Sequence, residues 1–274
     1  MADAVSAGTG DPRGGAGRLL IDQPAAGVTR LTISNPQRRG ALDHAILDAF
    51  AATVPTLDAR CLIITGEGDT FSAGYDLGAL PSDPLPSEAD RLVAHPFAAA
   101  LDALEGYPYP TLAVLNGHAI GGGLELAVTC DLRIAAAGAQ LRMPPARLGL
   151  VYSHTGIQKF IDTIGAPRTR ELFLVGRRVD APTAEAWGLV NAVADSDGLS
   201  EEAVALAKDL AAGAPLAQRG NKRVIRELLA SRGALDPDTE LELLELRRSC
   251  FSSDDFQEAI RAFAEKRKPN WQGR

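Results

Sequence analysis

Two short stretches of this chain each join an apolar run, a glycine turn and the start of a helix. One is Phe71-Ser72-Ala73-Gly74-Tyr75-Asp76-Leu77. The other runs Asn116-Gly117-His118-Ala119-Ile120-Gly121-Gly122-Gly123-Leu124-Glu125. A glycine turn that opens a helix exposes backbone N–H groups with no partner inside the helix. The helix dipole adds partial positive charge at the same place. Such a turn can be an ordinary tight turn, or it can hold an anion, either a phosphate or an oxyanion. Two of them in one fold, each giving one donor, would make a two-donor oxyanion site. A P-loop is excluded because no GK[ST] is present, and the glycine spacing does not match GxGxxG after a strand.

The rest of the pattern places these turns in an α/β chain. Residues 18–34 are punctuated by Pro24 and Gly27 and read as a β-hairpin, with Val28, Leu31 and Ile33 in its second strand. Leu42, Ile46, Leu47, Phe50 and Val54 recur near helical period over 42–57. Cys61-Leu62-Ile63-Ile64-Thr65, Thr111-Leu112-Ala113-Val114-Leu115 and Leu132 to Ala136 read as buried strands. Helices are expected near 88–105 and over Leu124 to Val128, and the stretch holding Pro81, Pro84 and Pro86 is expected to be mobile. Strands and helices alternate to about residue 200. Beyond that the chain reads as helical, with breaks at Pro215 and Pro237. This predicts a tail over 1–17, a main α/β domain over 18–200 and a helical C-terminal domain over 201–274.

Composition removes several function classes. The net charge is −7 over 274 residues. Such an acidic chain is unsuited to non-specific nucleic-acid binding, which rests on surplus Lys and Arg. Cys61, Cys130 and Cys250 are odd in number and widely spaced, so they read as reduced thiols. No CxxC or His/Cys cluster suggests a metal site, and no metal is expected. Met1 to Gly17 lacks a basic start followed by an apolar core. No apolar run approaches the roughly 18 residues needed to cross a bilayer. The expectation is a cytoplasmic protein with a short disordered tail and no membrane or nucleic-acid partner.

Glu125 sits among Leu124, Leu126, Ala127 and Val128 in the first turn of the second helix. If buried, it would have a raised pKa suited to a general acid or base. Equally, it can be a helix-start carboxylate favoured by the dipole by about 0.3–1 kcal/mol.

These motifs resemble those of the crotonase (enoyl-CoA hydratase/isomerase) superfamily. Asn35-Pro36 with Arg39-Gly40-Ala41-Leu42 is similar to its early CoA-contacting segment. The stretch 71–77 resembles its first oxyanion-hole motif. The stretch 116–127, with Cys130-Asp131, resembles the second. Phe263 with Lys266-Arg267-Lys268-Pro269 is similar to its closing segment, and the resemblance covers about residues 18–274. It implies a ββα spiral core with a helical C-terminal trimerisation region, assembled as a homotrimer or homohexamer. It further implies an acyl-CoA thioester substrate in lyase-type chemistry of fatty acid metabolism. CoA enters as part of the substrate, without a separate cofactor. The backbone N–H groups of Tyr75 and Gly122 would polarise the thioester carbonyl, and Glu125 falls on the first catalytic glutamate. Arg39, Ala41, Leu42, Ala73, Asp76, Leu77, Phe263 and Lys266 would contact substrate or CoA.

One departure matters. Hydratases of this superfamily have a second glutamate where this chain reads Met143-Pro144-Pro145, and Pro145 cannot transfer a proton. Leu148-Gly149-Leu150-Val151-Tyr152 and Leu80-Pro81-Ser82 resemble methylmalonyl-CoA decarboxylases, with Tyr152 matching an active-site tyrosine. Those enzymes have a His where Tyr75 stands. Tyr152 is therefore a second catalytic candidate, and packing of a loop tyrosine on a neighbour is its alternative. His118 and His154 lie near the motifs and read as structural. Decarboxylation of a malonyl-type CoA ester and a non-catalytic CoA-binding scaffold are the alternatives to hydratase/isomerase-type chemistry. Ser82 to Leu92 is expected to shape the acyl pocket.

Overall fold

A computed structural model describes residues 15–76 and 95–273. Two sheets run side by side, and the chain winds between them as a ββα spiral. β1 (Arg18–Ala25) and β2 (Val28–Ser34) form the antiparallel hairpin, and α1 (His44–Thr53) follows. In the next turn β3 (Cys61–Gly66) enters the larger sheet, β4 (Thr70–Ser72) enters the smaller one, and α2 (His95–Gly106) follows. The pattern repeats with β5 (Thr111–Leu115), β6 (His118–Ile120) and α3 (Gly122–Thr129). A third repeat is β7 (Leu132–Ala136), β8 (Gln140–Arg142) and α4 (His154–Arg170). β9 (Arg178–Asp180), α5 (Ala181–Ala186) and β10 (Ala192–Ala194) complete the sheets. The larger sheet has the order β1-β2-β3-β5-β7-β10 and is parallel from β2 onward; the smaller has the order β4-β6-β8-β9.

The continuous apolar runs in β3 and β5 follow from burial on both faces. Leu62, Ile64, Ala113 and Leu115 face the core shared with α1, α2 and α3. Cys61, Ile63, Leu112 and Val114 point the other way, against Leu199, Ala203 and Ala207 of α6 (Leu199–Ala212). Each fully buried Leu, Ile or Phe contributes about 1.5–3 kcal/mol of hydrophobic transfer. Three further helices close the chain: α7 (Pro215–Arg232), α8 (Pro237–Phe251) and α9 (Asp254–Ala264). Asp236 and Ser253 cap α8 and α9 by accepting the N–H groups of Thr239 and Phe256 at 3.0 and 3.1 Å.

Several expectations shift at the element ends. The helix expected over 42–57 begins only at His44, because the Asp43 side chain caps it by accepting from Ile46 N at 3.0 Å. Asp43 also accepts the N–H of Gly17 at 2.7 Å, so Gly17, read from sequence as tail, is buried against α1. The helix expected near 88–105 spans His95–Gly106 among the described residues. The stretch with Pro81, Pro84 and Pro86 and the segment Ser82 to Leu92 lie outside them. Gly122 and Gly123, read as turn, are the first helical residues of α3.

α3 is held at its far end by a buried cation. Arg133, 7% exposed, donates to the carbonyls of Cys130 at 2.6 Å, Val128 at 3.3 Å and Ala127 at 3.4 Å. Its Nε donates to Leu189 O at 2.8 Å. Ala127 O also accepts from Cys130 N at 3.2 Å, while Val128 O and Cys130 O belong to the end that a helix leaves without its own donors, where a cation also offsets the dipole. Arg133→Met is expected to take this donor from the carbonyls of Val128, Cys130 and Leu189 and to cost about 1–3 kcal/mol, read as a lowered midpoint in urea unfolding. An unchanged midpoint would show that the helix end needs no such partner.

Candidate active site

The two glycine turns meet. β4 and β6 are parallel neighbours in the smaller sheet, so the segments after them leave side by side. Gly74 has φ 95°, a region that favours glycine. A β-carbon on Gly74 would lie 2.6 Å from Ile120 O and 3.3 Å from Gly122 N. Ser72 fixes the approach from below. Fully buried, its hydroxyl donates to Gly40 O at 2.7 Å and accepts from Gly74 N at 3.1 Å. A β-carbon on Gly123 would lie 2.6 Å from Ser72 Cβ, so α3 can sit this close only with glycine there.

Tyr75 and Gly122 line one cavity with Ala73, Glu125, Pro145 and Tyr152. Gly122 is the first residue of α3, and its N–H has no partner inside the helix by position. The backbone of Tyr75 is set by pairing with the 35–42 segment: Leu42 N donates to Gly74 O at 2.8 Å, and Asp76 N to Leu42 O at 3.1 Å. The Tyr75 hydroxyl is 3.0 Å from His44 Nε2, and burial pushes its pKa up.

Glu125 is one turn into α3, and its side chain is 3% exposed. Tyr152 donates its hydroxyl to Glu125 Oε2 at 2.5 Å. Tyr152 stands just before α4, whose N-cap Ser153 accepts from Gly156 N at 3.1 Å. Gly156 leaves room for the carboxyl, since a β-carbon there would be 2.7 Å from Glu125 Oε1. Burial raises the Glu125 pKa above the usual carboxylate range. The positive charge of Lys159, the Tyr152 hydrogen bond and Arg247 oppose that rise. Tyr152 is itself raised well above the usual tyrosine value by burial and by the neighbouring carboxyl. The pair can hold or pass one proton at a place facing the two glycine turns.

The sequence-predicted residues divide into two groups. Glu125, Tyr152, Tyr75, Gly122 and Ala73 come together at the cavity. Ala41 and Leu42 are buried directly behind the first turn, and Ala73 N donates to Arg39 O at 3.0 Å. Arg39 itself is exposed, Asp76 forms an ion pair with Arg38 at 2.5 Å, and neither Arg39 nor Asp76 lines the cavity. Leu77 lies outside the described residues. Phe263, 74% exposed, and Lys266 stand at the end of α9 and do not line the cavity. His118 accepts from Gln140 N at 3.2 Å, and His154 is 3.7 Å from Glu240; neither lines the cavity. Pro145, the departure from the hydratase pattern, is buried in the cavity wall.

Sequence reasoning missed Phe97, Arg247 and Phe251, which also line it. Arg247 and Phe251 are four residues apart on α8 and so share one helix face. That spacing is the only signal the sequence offers for them. No group of three or more His, Cys, Asp or Glu side chains that could hold a metal occurs among the described residues. Nor is any described helix long and apolar enough to cross a membrane.

Comparison with known proteins agrees with this geometry. The enoyl-CoA hydratase/isomerase family model matches residues 23–274. The probable enoyl-CoA hydratase of Bacillus subtilis strain 168 is 34% identical over 263 residues, covering 93% of this chain and 98% of that protein. The 2,3-dehydroadipyl-CoA hydratase of Escherichia coli K12 is 31% identical over 254 residues, covering 90% and 96%. Among solved structures, a methylmalonyl-CoA decarboxylase in complex with 2-nitronate-propionyl-CoA superposes with a TM-score of 0.85 at 27% identity, covering 93% and 98%. With a match over nearly its whole length and the two glycine turns joined at one cavity, this chain belongs to the enoyl-CoA hydratase/isomerase family, the crotonase superfamily.

Proposed function

We propose that the chain binds an acyl-CoA thioester and stabilises its enolate with the N–H groups of Tyr75 and Gly122, while Glu125 exchanges the proton. The observation that carries this reading is the 2.5 Å bond from Tyr152 to Glu125 inside the cavity where the two turns meet. A carbonyl oxygen between the two N–H groups gains negative charge as the enolate forms. Fixed donors at that point strengthen as the charge grows. A buried carboxyl with a raised pKa works as an acid or base near neutral pH, as a solvated one does not. That burial also argues against a non-catalytic scaffold, which has no use for a desolvated carboxyl. Arg39, exposed and next to the first turn through its carbonyl bond to Ala73 N, supports a CoA site along the 35–42 segment. Phe263 and Lys266, exposed at the end of α9, fit contact with CoA on a neighbouring subunit.

A second reading, decarboxylation of a malonyl-type CoA ester, is favoured by Pro145. Hydration of an enoyl thioester needs one group to take a proton from water and one to give a proton to carbon. Pro145 leaves Glu125 as the only carboxyl among the described residues of the cavity. In decarboxylation the bond to the carboxylate breaks and its electron pair enters the thioester enolate. One proton donor, the Glu125–Tyr152 pair, then completes the product. The methylmalonyl-CoA decarboxylase likeness supports the same alternative.

α7 buries none of its residues and exposes Leu216, Val224, Ile225 and Leu228. This supports assembly as a trimer or hexamer. Sedimentation is expected to give a mass that is a multiple of three of the 28.8 kDa chain; a monomer would overturn that expectation.

Purified protein assayed in parallel with crotonyl-CoA and methylmalonyl-CoA decides between the reactions. Loss of the enoyl absorbance supports hydration, and CO₂ release supports decarboxylation. Glu125→Gln is expected to lower turnover about 10²–10⁴-fold while acyl-CoA binding persists. Full turnover in that variant would remove Glu125 from the mechanism.

Glu125 also links stability to pH. Its folded pKa is raised, so the folded protein keeps a proton that the unfolded chain has already lost. The contribution of this group to stability is constant below the unfolded value. It falls as pH rises from the unfolded value to the folded one. Thermal melts of Glu125→Gln across the acid-to-neutral range are expected to lack that decline. Parallel curves for the two proteins would mean the carboxyl is not desolvated.

A further inference from the structure

Among the described residues, the cavity is lined by one cation, Arg247, that the chemistry above does not use. Arg247 reaches it from α8, one turn before Phe251, and faces a wall that includes Phe97, Ile120, Met143 and Leu150. A guanidinium keeps its charge at any ordinary pH, and holding it half-buried among apolar side chains is costly without an anionic partner. Its neighbour Arg248 pairs with Glu245 at 3.1 Å. The guanidinium of Arg247 makes no hydrogen bond or ion pair with any described residue. Glu125 feels its charge, but that carboxyl is already bonded to Tyr152 and feels Lys159 more strongly.

We propose that Arg247 anchors a second carboxylate, carried by the acyl part of the thioester, and so selects dicarboxylic acyl-CoA substrates. This rests on the reading of the cavity as an acyl-CoA site. A planar guanidinium binds a carboxylate through two parallel hydrogen bonds, stronger than neutral ones. The thioester end would sit at the turns of Tyr75 and Gly122, and the free carboxylate would reach toward α8. Arg247 is thus a specificity residue that acts through the far end of the substrate.

The test is equilibrium binding, which does not depend on turnover. Succinyl-, glutaryl- and adipyl-CoA are titrated by calorimetry beside butyryl-, valeryl- and hexanoyl-CoA. At one chain length at least, the wild type is expected to bind the dicarboxylic thioester about tenfold or more tightly than its methyl-ended counterpart. The ratio is expected to fall toward one in Arg247→Met and to recover in part in Arg247→Lys. Equal affinities at every length in the wild type, binding of none of the six, or a ratio unchanged in Arg247→Met would overturn the proposal. Turnover of unsaturated and malonyl-type thioesters by the same preparations separates the two readings. A preserved binding ratio without any turnover would overturn the enolate chemistry and leave the anchor standing. If Arg247 serves only to tune Glu125, Arg247→Met shifts the pH profile of turnover and leaves the binding ratio as it was, which counts against the anchor.

Discussion

Ser72 is a small polar side chain with no exposure, and the placing of both glycine turns depends on it. Its hydroxyl is satisfied twice, by Gly40 O and Gly74 N, so burying it costs little. Its β-carbon is what α3 packs on, through the bare face of Gly123. Thus one residue ties the 35–42 segment, the first turn and the start of α3 into a single body. The N–H groups of Tyr75 and Gly122 inherit their relative position from that packing. Backbone donors fixed in this way need not reorganise when charge develops in front of them.

The far end of α3 is fixed independently. Arg133 gathers the last carbonyls of the helix, and Asp131 just beyond accepts from Thr111 N at 2.7 Å and from Lys222 at 2.7 Å. α3 is therefore clamped between a tight glycine contact and a buried cation. That rigidity matters for Glu125, whose carboxyl must stay dry to keep its raised pKa. A helix free to tilt would admit water, and the carboxyl would return toward ordinary values.

The sequence made the long buried strands legible and hid the short ones. Thr111–Leu115 and Leu132–Ala136 are continuous apolar runs, because helices cover both faces, and the expected bounds agree with the structure. Thr70–Ser72, His118–Ile120, Gln140–Arg142 and Arg178–Asp180 are three residues each, too short to show a period of two. They form a second sheet only because the spiral stacks them. Glu125 and the two turns were legible from motif order and spacing. Tyr152 came from resemblance alone, since nothing local tells a bonded loop tyrosine from a packed one. Arg247 was not legible, because a charge on a C-terminal helix reads as solvated until the fold brings that helix over the cavity.

Pro145 bears on what the Glu125–Tyr152 pair can do. With two carboxyls facing each other across a substrate, each would raise the other's pKa and one would stay protonated. Here the partner is a phenol whose own pKa is pushed far up, so it donates its hydrogen bond and stays neutral. That bond favours the ionised carboxyl, while burial favours the neutral one. Burial is the larger effect, so the carboxyl pKa stays raised, the direction that the proposed acid–base role of Glu125 calls for. A second carboxyl in the wall would add a like charge to that balance. Proline there adds none, and its buried ring gives the wall apolar surface instead. A proline at this place therefore leaves Glu125 in the environment that the proposed one-carboxyl reading requires.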